Sequence, residues 1–130
     1  MQFIIVRGVA GSGKTTYVKK NFPNILHIET DMFCMQDGKY NWNKTLSDRR
    51  HKCARDIVKL ALDMNADVVV SNTFVRKWEL DQYINMVPIG YDIKVYRMRN
   101  WYGSTHDVPK ETIVRMTKTF EDYDGEILVE

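Results

Sequence analysis

The feature that most constrains this chain is an eight-residue segment, Gly8-Val9-Ala10-Gly11-Ser12-Gly13-Lys14-Thr15. It fits the spacing G-x-x-x-x-G-K-[ST] of a phosphate-binding loop, or P-loop. The apolar run Phe3–Val6 before it predicts a buried strand, and residues 16–20 after it are compatible with a helix. In a strand–loop–helix arrangement, the backbone N–H groups of the loop and the positive end of the helix dipole are directed at the same place, where a phosphate can bind. The segment therefore predicts a binding site for a nucleotide polyphosphate.

Individual residues of this P-loop have predicted roles. Lys14 can reach the β- and γ-phosphates of ATP, and the Thr15 hydroxyl can ligate Mg²⁺. We therefore predict ATP and Mg²⁺ as the cofactors. We expect further contacts to the nucleotide from the residues around them, which are Val9, Ala10, Gly11, Ser12, Gly13 and Thr16.

Strand and helix patterns alternate along the chain. Runs of β-branched and apolar residues predict strands, and apolar residues at helical spacing predict helices. The alternation predicts an α/β fold, a three-layer P-loop NTPase (kinase-like) architecture with a central parallel sheet and helices on both faces. The predicted strands are 2–7, 25–28, 67–71 and 91–96, the predicted helices are 13–21, 45–64, 76–87 and one that starts near Pro109, and 127–129 is either an edge strand or a surface segment.

The details of two central segments are also predicted. Residues 35–44 are expected to form a polar loop with a turn at Asp37-Gly38. In the long helix that follows, the residues expected to form the apolar stripe are Leu46, Cys53, Ile57, Leu60 and Met64.

The bulk composition limits the class of protein. A chain of 130 residues suits one domain, 1–130, with one core. Its net charge of +2 is too mild to indicate nucleic-acid binding by itself. Its two cysteines, Cys34 and Cys53, lack metal-ligand spacing and are expected to be free thiols in a reducing cytoplasm. No apolar run approaches the length that spans a membrane, so a cytoplasmic location without a membrane partner is expected.

An acid follows the second predicted strand. Because the carboxyl ends of parallel strands line the ligand crevice, Asp31 has a route to the active site. A carboxylate there can accept the proton of an attacking hydroxyl during phosphoryl transfer. The sequence favours equally a plain structural role for Asp31, as a helix cap or a loop acid. His27, within the strand, has no partner spaced near it and is expected to be an ordinary strand residue.

Aromatic and basic residues further along are candidates for contacts with a nucleic acid. Tyr40 and Trp42 can stack on a base or pack over the edge of the core. The run Arg49-Arg50-His51-Lys52 is the most basic patch in the chain. Such a run is usually a solvated helix face, and the alternative is a rail for nucleic-acid phosphates.

Several stretches together resemble a known family. The P-loop is followed by Thr30-Asp31, by residues 69–73 with 78–80 after them, and by Arg99-Asn100, after which come 108–109 and 113–116. This order is similar to the P-loop polynucleotide 5′-hydroxyl kinases, most of all to the kinase domain of phage-type polynucleotide kinase and the related NEDD4-binding-protein-like ATPases. The similarity covers nearly the whole chain.

This resemblance implies a function and a set of site residues. It implies transfer of the ATP γ-phosphate to the 5′-hydroxyl end of DNA or RNA, with nucleic acid as the partner. Lys14 and Thr15 would hold ATP and Mg²⁺, and Asp31 would be the general base. Arg99, with Arg97 as second candidate, would contact the transferring phosphates from a short lid at about 97–109.

The chain also departs from the family pattern. An aspartate is common at the end of the third strand, where Ser71-Asn72 stand here, and Phe74 stands where an asparagine is common. The departure leaves two alternatives to the polynucleotide kinase. One is a kinase for a nucleoside or another small alcohol, and the other is a nucleotide-binding regulatory module with little transfer activity.

Overall fold

The structure is a computed structural model that describes residues 1–30, 35–36, 39–40, 44–103 and 108–130. Strands and helices alternate, as the sequence predicts. The strands are β1 (Gln2–Arg7), β2 (Leu26–Glu29), β3 (Met35–Gln36), β4 (Lys39–Tyr40), β5 (Val68–Asn72), β6 (Asp92–Met98) and β7 (Ile127–Val129). The helices are α1 (Lys14–Asn21), α2 (Lys44–Asp63), α3 (Lys77–Ile84) and α4 (Lys110–Thr119).

Five strands form one parallel sheet in the order β2-β5-β1-β6-β7. β1 lies at its centre, with Ile4 opposite Val69 on β5 and Lys94 on β6. Residues 3–6 of β1 and 68–70 of β5 are fully or almost fully buried, which is why these runs are uniformly apolar. The predicted parallel sheet is confirmed, and its carboxyl edge carries the ends of β1, β2, β5 and β6.

Helices cover both faces of this sheet. On one face Ile4, Val6 and Val69 pack with Val18 of α1. On the other face Phe3, Ile5 and Val70 pack with residues of α2 and α3, namely Ala54, Val58, Ala61, Leu62, Leu80 and Tyr83. The predicted three-layer fold is therefore confirmed.

The apolar stripe predicted for α2 is wrong. Leu60 and Met64 are 61% and 72% exposed, and Cys53 is also exposed. Small and branched side chains at positions 54, 58, 61 and 62 face the sheet instead. Alanines at the contact let the helix lie close to the sheet, so the buried face is displaced from the one that the large apolar residues mark. Leu46 has no described side chain and Ile57 is only partly buried.

Residues 35–36 and 39–40 form strands within the segment that was expected to be a loop. β3 and β4 pair antiparallel, with Met35 opposite Tyr40 and Gln36 opposite Lys39, so a short hairpin brackets the predicted turn. Trp42 lies outside the described residues.

Asn65, with φ 60°, follows α2 in the left-handed conformation that asparagine tolerates. The segment 127–129 forms the edge strand that was one of its two predicted alternatives.

A buried arginine ties the carboxyl-terminal segment to the sheet. Arg7 is 0% exposed and pairs with Glu126, at 2.9 Å between Nη1 and Oε1. It also donates to the carbonyl of Phe74, and its guanidinium lies 4.3 Å from the centre of the Phe120 ring. Arg97 pairs with the same Glu126 and with Asp122. Burial lowers the pKa of Arg7, and the Glu126 charge partly offsets that effect. None of the described helices has the length and apolar character needed to cross a membrane.

Candidate active site

The P-loop has the backbone conformation that its glycines allow. Gly11 and Gly13 have φ of 82° and 86°, in the left-handed region that disfavours a side chain. A Cβ on Gly11 would also lie 2.2 Å from the carbonyl oxygen of Gly103. Gly13 immediately precedes α1, so the amino end of that helix opens onto the loop. These features place an anion site at the loop.

Lys14 and Thr15 take the expected positions at the start of α1. Lys14 Nζ donates to the carbonyls of Gly8 and Val9, at 3.1 and 3.0 Å, so its ammonium lies over the loop. The Ser12 side chain is fully buried, and its hydroxyl has no hydrogen-bond partner in the described part of the chain. An ammonium over the loop and an unpartnered hydroxyl within it are what a phosphate oxygen would satisfy.

An acid that the sequence reasoning did not single out contacts the P-loop threonine. The Thr15 hydroxyl donates a hydrogen bond to the carboxylate of Glu29, at the end of β2. Ser71 on β5 lies 3.4 Å from the same carboxylate oxygen, and its hydroxyl is 2.6 Å from Nε2 of His27. The signal was available in the sequence, because Glu29 directly follows the predicted strand 25–28 and so stands where strand ends line a ligand crevice.

His27 therefore has a partner that its sequence neighbours do not reveal, since Ser71 is 44 positions away. Burial lowers the pKa of His27; the Glu29 charge opposes this shift and the Lys19 charge adds to it. A neutral imidazole that donates from Nε2 to Ser71 leaves the Ser71 proton directed at Glu29. The four side chains form a hydrogen-bonded line from β2 to the P-loop.

Asn72 stands where the resemblance leads one to expect an acid. Its Nδ2 donates to the Thr30 hydroxyl at 3.2 Å, and its Oδ1 accepts from the Thr73 amide at 2.8 Å. The end of β5 is thus joined to the end of β2 through neutral groups. The carboxylate that lies beside Thr15 comes from β2.

A cavity of about 500 Å³ opens above the P-loop. The segment 101–103 lies against the outer side of the loop, where the Trp101 indole donates to the Ala10 carbonyl at 3.0 Å and the Tyr102 amide donates to the Gly11 carbonyl at 2.7 Å. The described residues around the cavity come from the P-loop, from strand ends and from the carboxyl-terminal part of the chain: Ala10, Gly11, Gly13, Lys14, Thr15, Thr16, Tyr17, Lys20, Glu29, Thr73, Met98, Tyr102, Gly103, Val108, Met116, Val129 and Glu130.

The other predicted site residues lie in different places. Arg97 belongs to β6 and its guanidinium is paired with Asp122 and Glu126, while Arg99 is exposed just beyond the strand. Neither is among the residues that line the cavity. The predicted lid thus begins within a strand, and its positions 104–107 lie outside the described residues. Asp31 is outside them too.

A second cavity of about 340 Å³ lies at the same edge of the sheet, between α2 and α3. Its lining residues are Ser47, Asp48, His51, Arg55, Asn72, Phe74, Trp78, Glu79, Gln82 and Tyr83. The Tyr83 hydroxyl is buried and lies near the Thr30 side chain, but no hydrogen bond of ordinary geometry reaches it from the described part of the chain. Burial raises the pKa of Tyr83, and the Arg55 charge and the nearby Thr30 hydroxyl act in the opposite direction.

The donors near Thr15 suit magnesium. Mg²⁺ prefers oxygen ligands and is usually held by one or two carboxylates, a few waters and substrate phosphates. Thr15 and Glu29 supply a hydroxyl and a carboxylate side by side. Among the described residues there is no cluster of three His, Cys, Asp or Glu side chains that would form a complete metal cage by itself. The residues therefore fit a metal that is shared with a nucleotide.

Comparisons with known proteins agree with this geometry. A family model described as an AAA domain matches residues 3–98. An uncharacterized protein of Pasteurella multocida is 26% identical over 87% of this chain and 73% of its own length.

Solved structures share the fold. A sugar kinase of Janibacter matches with a TM-score of 0.69 and 14% identity, over 99% of this chain and 83% of that one. Chains in two structures of the Pnkp1/Rnl/Hen1 complex, an RNA repair complex, match at 21% identity with TM-scores of 0.68 and 0.64. Those matches cover 99% and 95% of this chain but only 46% and 40% of the other chains. At these identities the likeness establishes a P-loop kinase fold and leaves the acceptor open.

Proposed function

The chain belongs to the AAA domain family of P-loop proteins, and we propose that it is an ATP-dependent kinase. The acceptor that we propose is the 5′-hydroxyl end of DNA or RNA. The observation that carries the proposal is the meeting of Lys14, Thr15 and Glu29 at one edge of the sheet. A phosphate-binding loop, its ammonium and an adjacent carboxylate are the parts that phosphoryl transfer from a metal-bound nucleotide requires.

The transfer step follows from these parts. The acceptor hydroxyl oxygen forms a bond to the γ-phosphorus of ATP while the bond from that phosphorus to the β–γ bridging oxygen breaks, and its electron pair leaves with ADP. The hydroxyl proton passes to a carboxylate, which we assign to Asp31 because it directly follows Thr30 at the end of β2. Lys14 would offset the negative charge on the phosphate oxygens.

We propose that Thr15 and Glu29 hold Mg²⁺ together, through a direct ligand or an intervening water. The ion would neutralise phosphate charge and orient the γ-phosphoryl group. In this assignment Glu29 on β2 replaces the acid that is missing at Ser71-Asn72 on β5. Ser71 and His27 would position the Glu29 carboxylate through their hydrogen bonds.

For the cationic residue that faces the transferring phosphates, we propose Arg99. Its side chain is exposed at the carboxyl edge of the sheet. Arg97 is the weaker candidate because its guanidinium would have to leave both Glu126 and Asp122.

Two similarities support the acceptor class. The order of motifs resembles polynucleotide 5′-hydroxyl kinases, and the fold matches chains in an RNA repair complex. The second candidate is a small-molecule kinase. The match to a sugar kinase favours it, because that match spans 83% of the other chain.

The test uses γ-labelled ATP, Mg²⁺ and a single-stranded oligonucleotide with a 5′-hydroxyl. We expect label at the 5′ end with the wild type and almost none with Lys14→Ala or Asp31→Asn. Lys19→Ala, which removes a cation of α1 outside the cavity, is the matched control and should retain activity. Full transfer by Asp31→Asn would refute the general-base assignment, and absence of oligonucleotide product with the wild type would refute the proposed acceptor.

A further inference from the structure

The second cavity, between α2 and α3, adjoins the P-loop cavity at a single peptide. Asn72 lines the cavity between the helices, and Thr73, the next residue, lines the one above the P-loop. The Gly8 amide donates to the Thr73 carbonyl at 3.3 Å, so the P-loop begins at this point. A group bound between α2 and α3 therefore lies next to the cavity above the P-loop.

One face of α2 lines this cavity with polar side chains. Ser47, His51 and Arg55 follow each other at intervals of four residues, which places them in one row along the helix. Arg55 points across to α3, where its Nη1 lies 3.5 Å from Oε1 of Gln82. The row gives the cavity a permanent cation and an imidazole, which suit a phosphodiester. The lining acids are Asp48 on α2 and Glu79, whose carboxylate accepts from the Arg76 amide at the start of α3, so the phosphodiester is placed at Arg55.

The α3 side provides an aromatic surface. Trp78 is 60% exposed at the cavity, an unusual position for the largest apolar side chain. An exposed indole ring can stack on any of the nucleobases, because every base has a flat π-face. Between the two helices lies the buried Tyr83 hydroxyl, which has no normal hydrogen bond within the described residues and can take one from a ligand.

We propose that this cavity binds the terminal nucleotide of the acceptor strand, with its base on Trp78 and the following phosphodiester near Arg55. This inference rests on the proposed function, since it names the acceptor subsite of the same reaction. A volume of about 340 Å³ fits one nucleotide unit and leaves the rest of the strand outside.

The experiment measures binding and transfer separately. Binding is followed by the fluorescence anisotropy of a 5′-hydroxyl tetranucleotide labelled at its 3′ end, in the presence of a non-hydrolysable ATP analogue. We expect Trp78→Ala and Arg55→Ala each to weaken binding about tenfold. Both side chains are at the surface of their helices, and a melting curve of each variant checks that it folds.

Two matched controls remove similar groups elsewhere on α2. Leu60→Ala deletes an apolar side chain that is 61% exposed, and Lys59→Ala deletes a cation one turn beyond Arg55. Both should keep tetranucleotide affinity within about twofold. In the transfer assay Trp78→Ala should raise the KM for the acceptor and leave the KM for ATP unchanged.

The outcomes separate this inference from the proposed function. Oligonucleotide phosphorylation with unchanged acceptor KM in both variants would overturn the cavity assignment and leave the kinase intact. Tetranucleotide binding that depends on Trp78 and Arg55 without any phosphorylated product would support the cavity and overturn the kinase. Displacement of the tetranucleotide by gluconate would overturn the inference in favour of a small-molecule acceptor, as would a wild type that does not bind the tetranucleotide.

Discussion

The two cavities at the carboxyl edge of the sheet are built in opposite ways. The floor of the P-loop cavity comes from one continuous segment, 8–16, and offers mainly backbone groups and one ammonium. The cavity between α2 and α3 is lined by side chains from residues 47–55, 72–74 and 78–83. The first needs only local backbone geometry, so its chemistry is general for nucleotides. The second needs three separate elements to be in register, so it is where acceptor specificity resides in our account.

The largest effect should come from the general part of the site. Lys14→Ala should lower kcat for phosphoryl transfer by about a hundredfold to a thousandfold, because it removes a fixed cation from the developing phosphate charge. The variant should fold normally, since Lys14 is a helix residue whose ammonium donates to the backbone carbonyls of Gly8 and Val9. Transfer rates under saturating ATP test this. A loss of less than about tenfold would mean that Lys14 lies outside the reacting site.

Arg7 contacts segments that carry both cavities, and its loss should destabilise both. It is the last residue of β1, directly before the P-loop, and it donates to the carbonyl of Phe74, which lines the second cavity. Removing one partner of a buried ion pair costs about 3–5 kcal/mol, so Arg7→Ala should lower the melting temperature by roughly 10 °C or more. Arg97→Ala is the control, because Arg97 shares Glu126 but is 20% exposed. Equal melting temperatures for the two variants would contradict the structural role of Arg7.

Glu29 tests how the general site holds its metal. Glu29→Gln keeps the shape and a hydrogen-bonding group but removes the negative charge. We expect the apparent affinity for Mg²⁺ to fall about 10- to 100-fold, measured both by transfer and by Mg²⁺-dependent binding of a fluorescent ATP analogue. Glu111→Gln, in the first turn of α4, is the matched control. An unchanged Mg²⁺ titration would remove Glu29 from the metal site.

The smallest effect concerns His27. Its pKa is lowered by burial in the folded state, so the unfolded chain binds the proton more readily. Stability should therefore fall as the pH decreases through and below the ordinary histidine value of about 6.5. His27→Gln retains a donor for Ser71 and lacks this titration, and the other two histidines are common to both proteins. At pH 7.5 the wild type should melt at a higher temperature than His27→Gln. At pH 5.5 the two melting temperatures should be closer together, or the variant should be the more stable protein. A constant difference would show that His27 titrates normally.

The difference between the two cavities also explains what the sequence could predict. The P-loop, the strands around it and the parallel sheet are encoded in contiguous patterns, and the structure agrees with them. The buried face of α2 could not be predicted from such a pattern. Ala54 and Ala61 are buried against the sheet, whereas the larger Leu60 remains exposed. Helical spacing of large apolar residues predicts which face of a helix is buried, but it contains no information on the distance between the helix and the sheet.

Two site features depend on contacts between distant strands. Glu29 meets Thr15 because β2 ends near the start of α1, and His27 meets Ser71 across the β2–β5 pair.

The backbone conformation of Phe74 bears on the position where the sequence has phenylalanine in place of the common asparagine. Its φ of 46° is a left-handed conformation that suits the asparagine common at this position, whereas a phenylalanine is strained there. Its buried ring and the Arg7 hydrogen bonds to its carbonyl hold that conformation.

A competition for labelled phosphate tests directly whether the acceptor is a nucleic-acid end. Wild-type protein would receive γ-labelled ATP, Mg²⁺ and an equimolar mixture of a 5′-hydroxyl oligonucleotide, a nucleoside and gluconate. We expect the label at the oligonucleotide 5′ end, and we expect Trp78→Ala to lower this share of the product. Label on gluconate or the nucleoside instead would contradict the assignment of the α2–α3 cavity to a nucleic-acid end, and no labelled product of any kind would contradict the kinase itself.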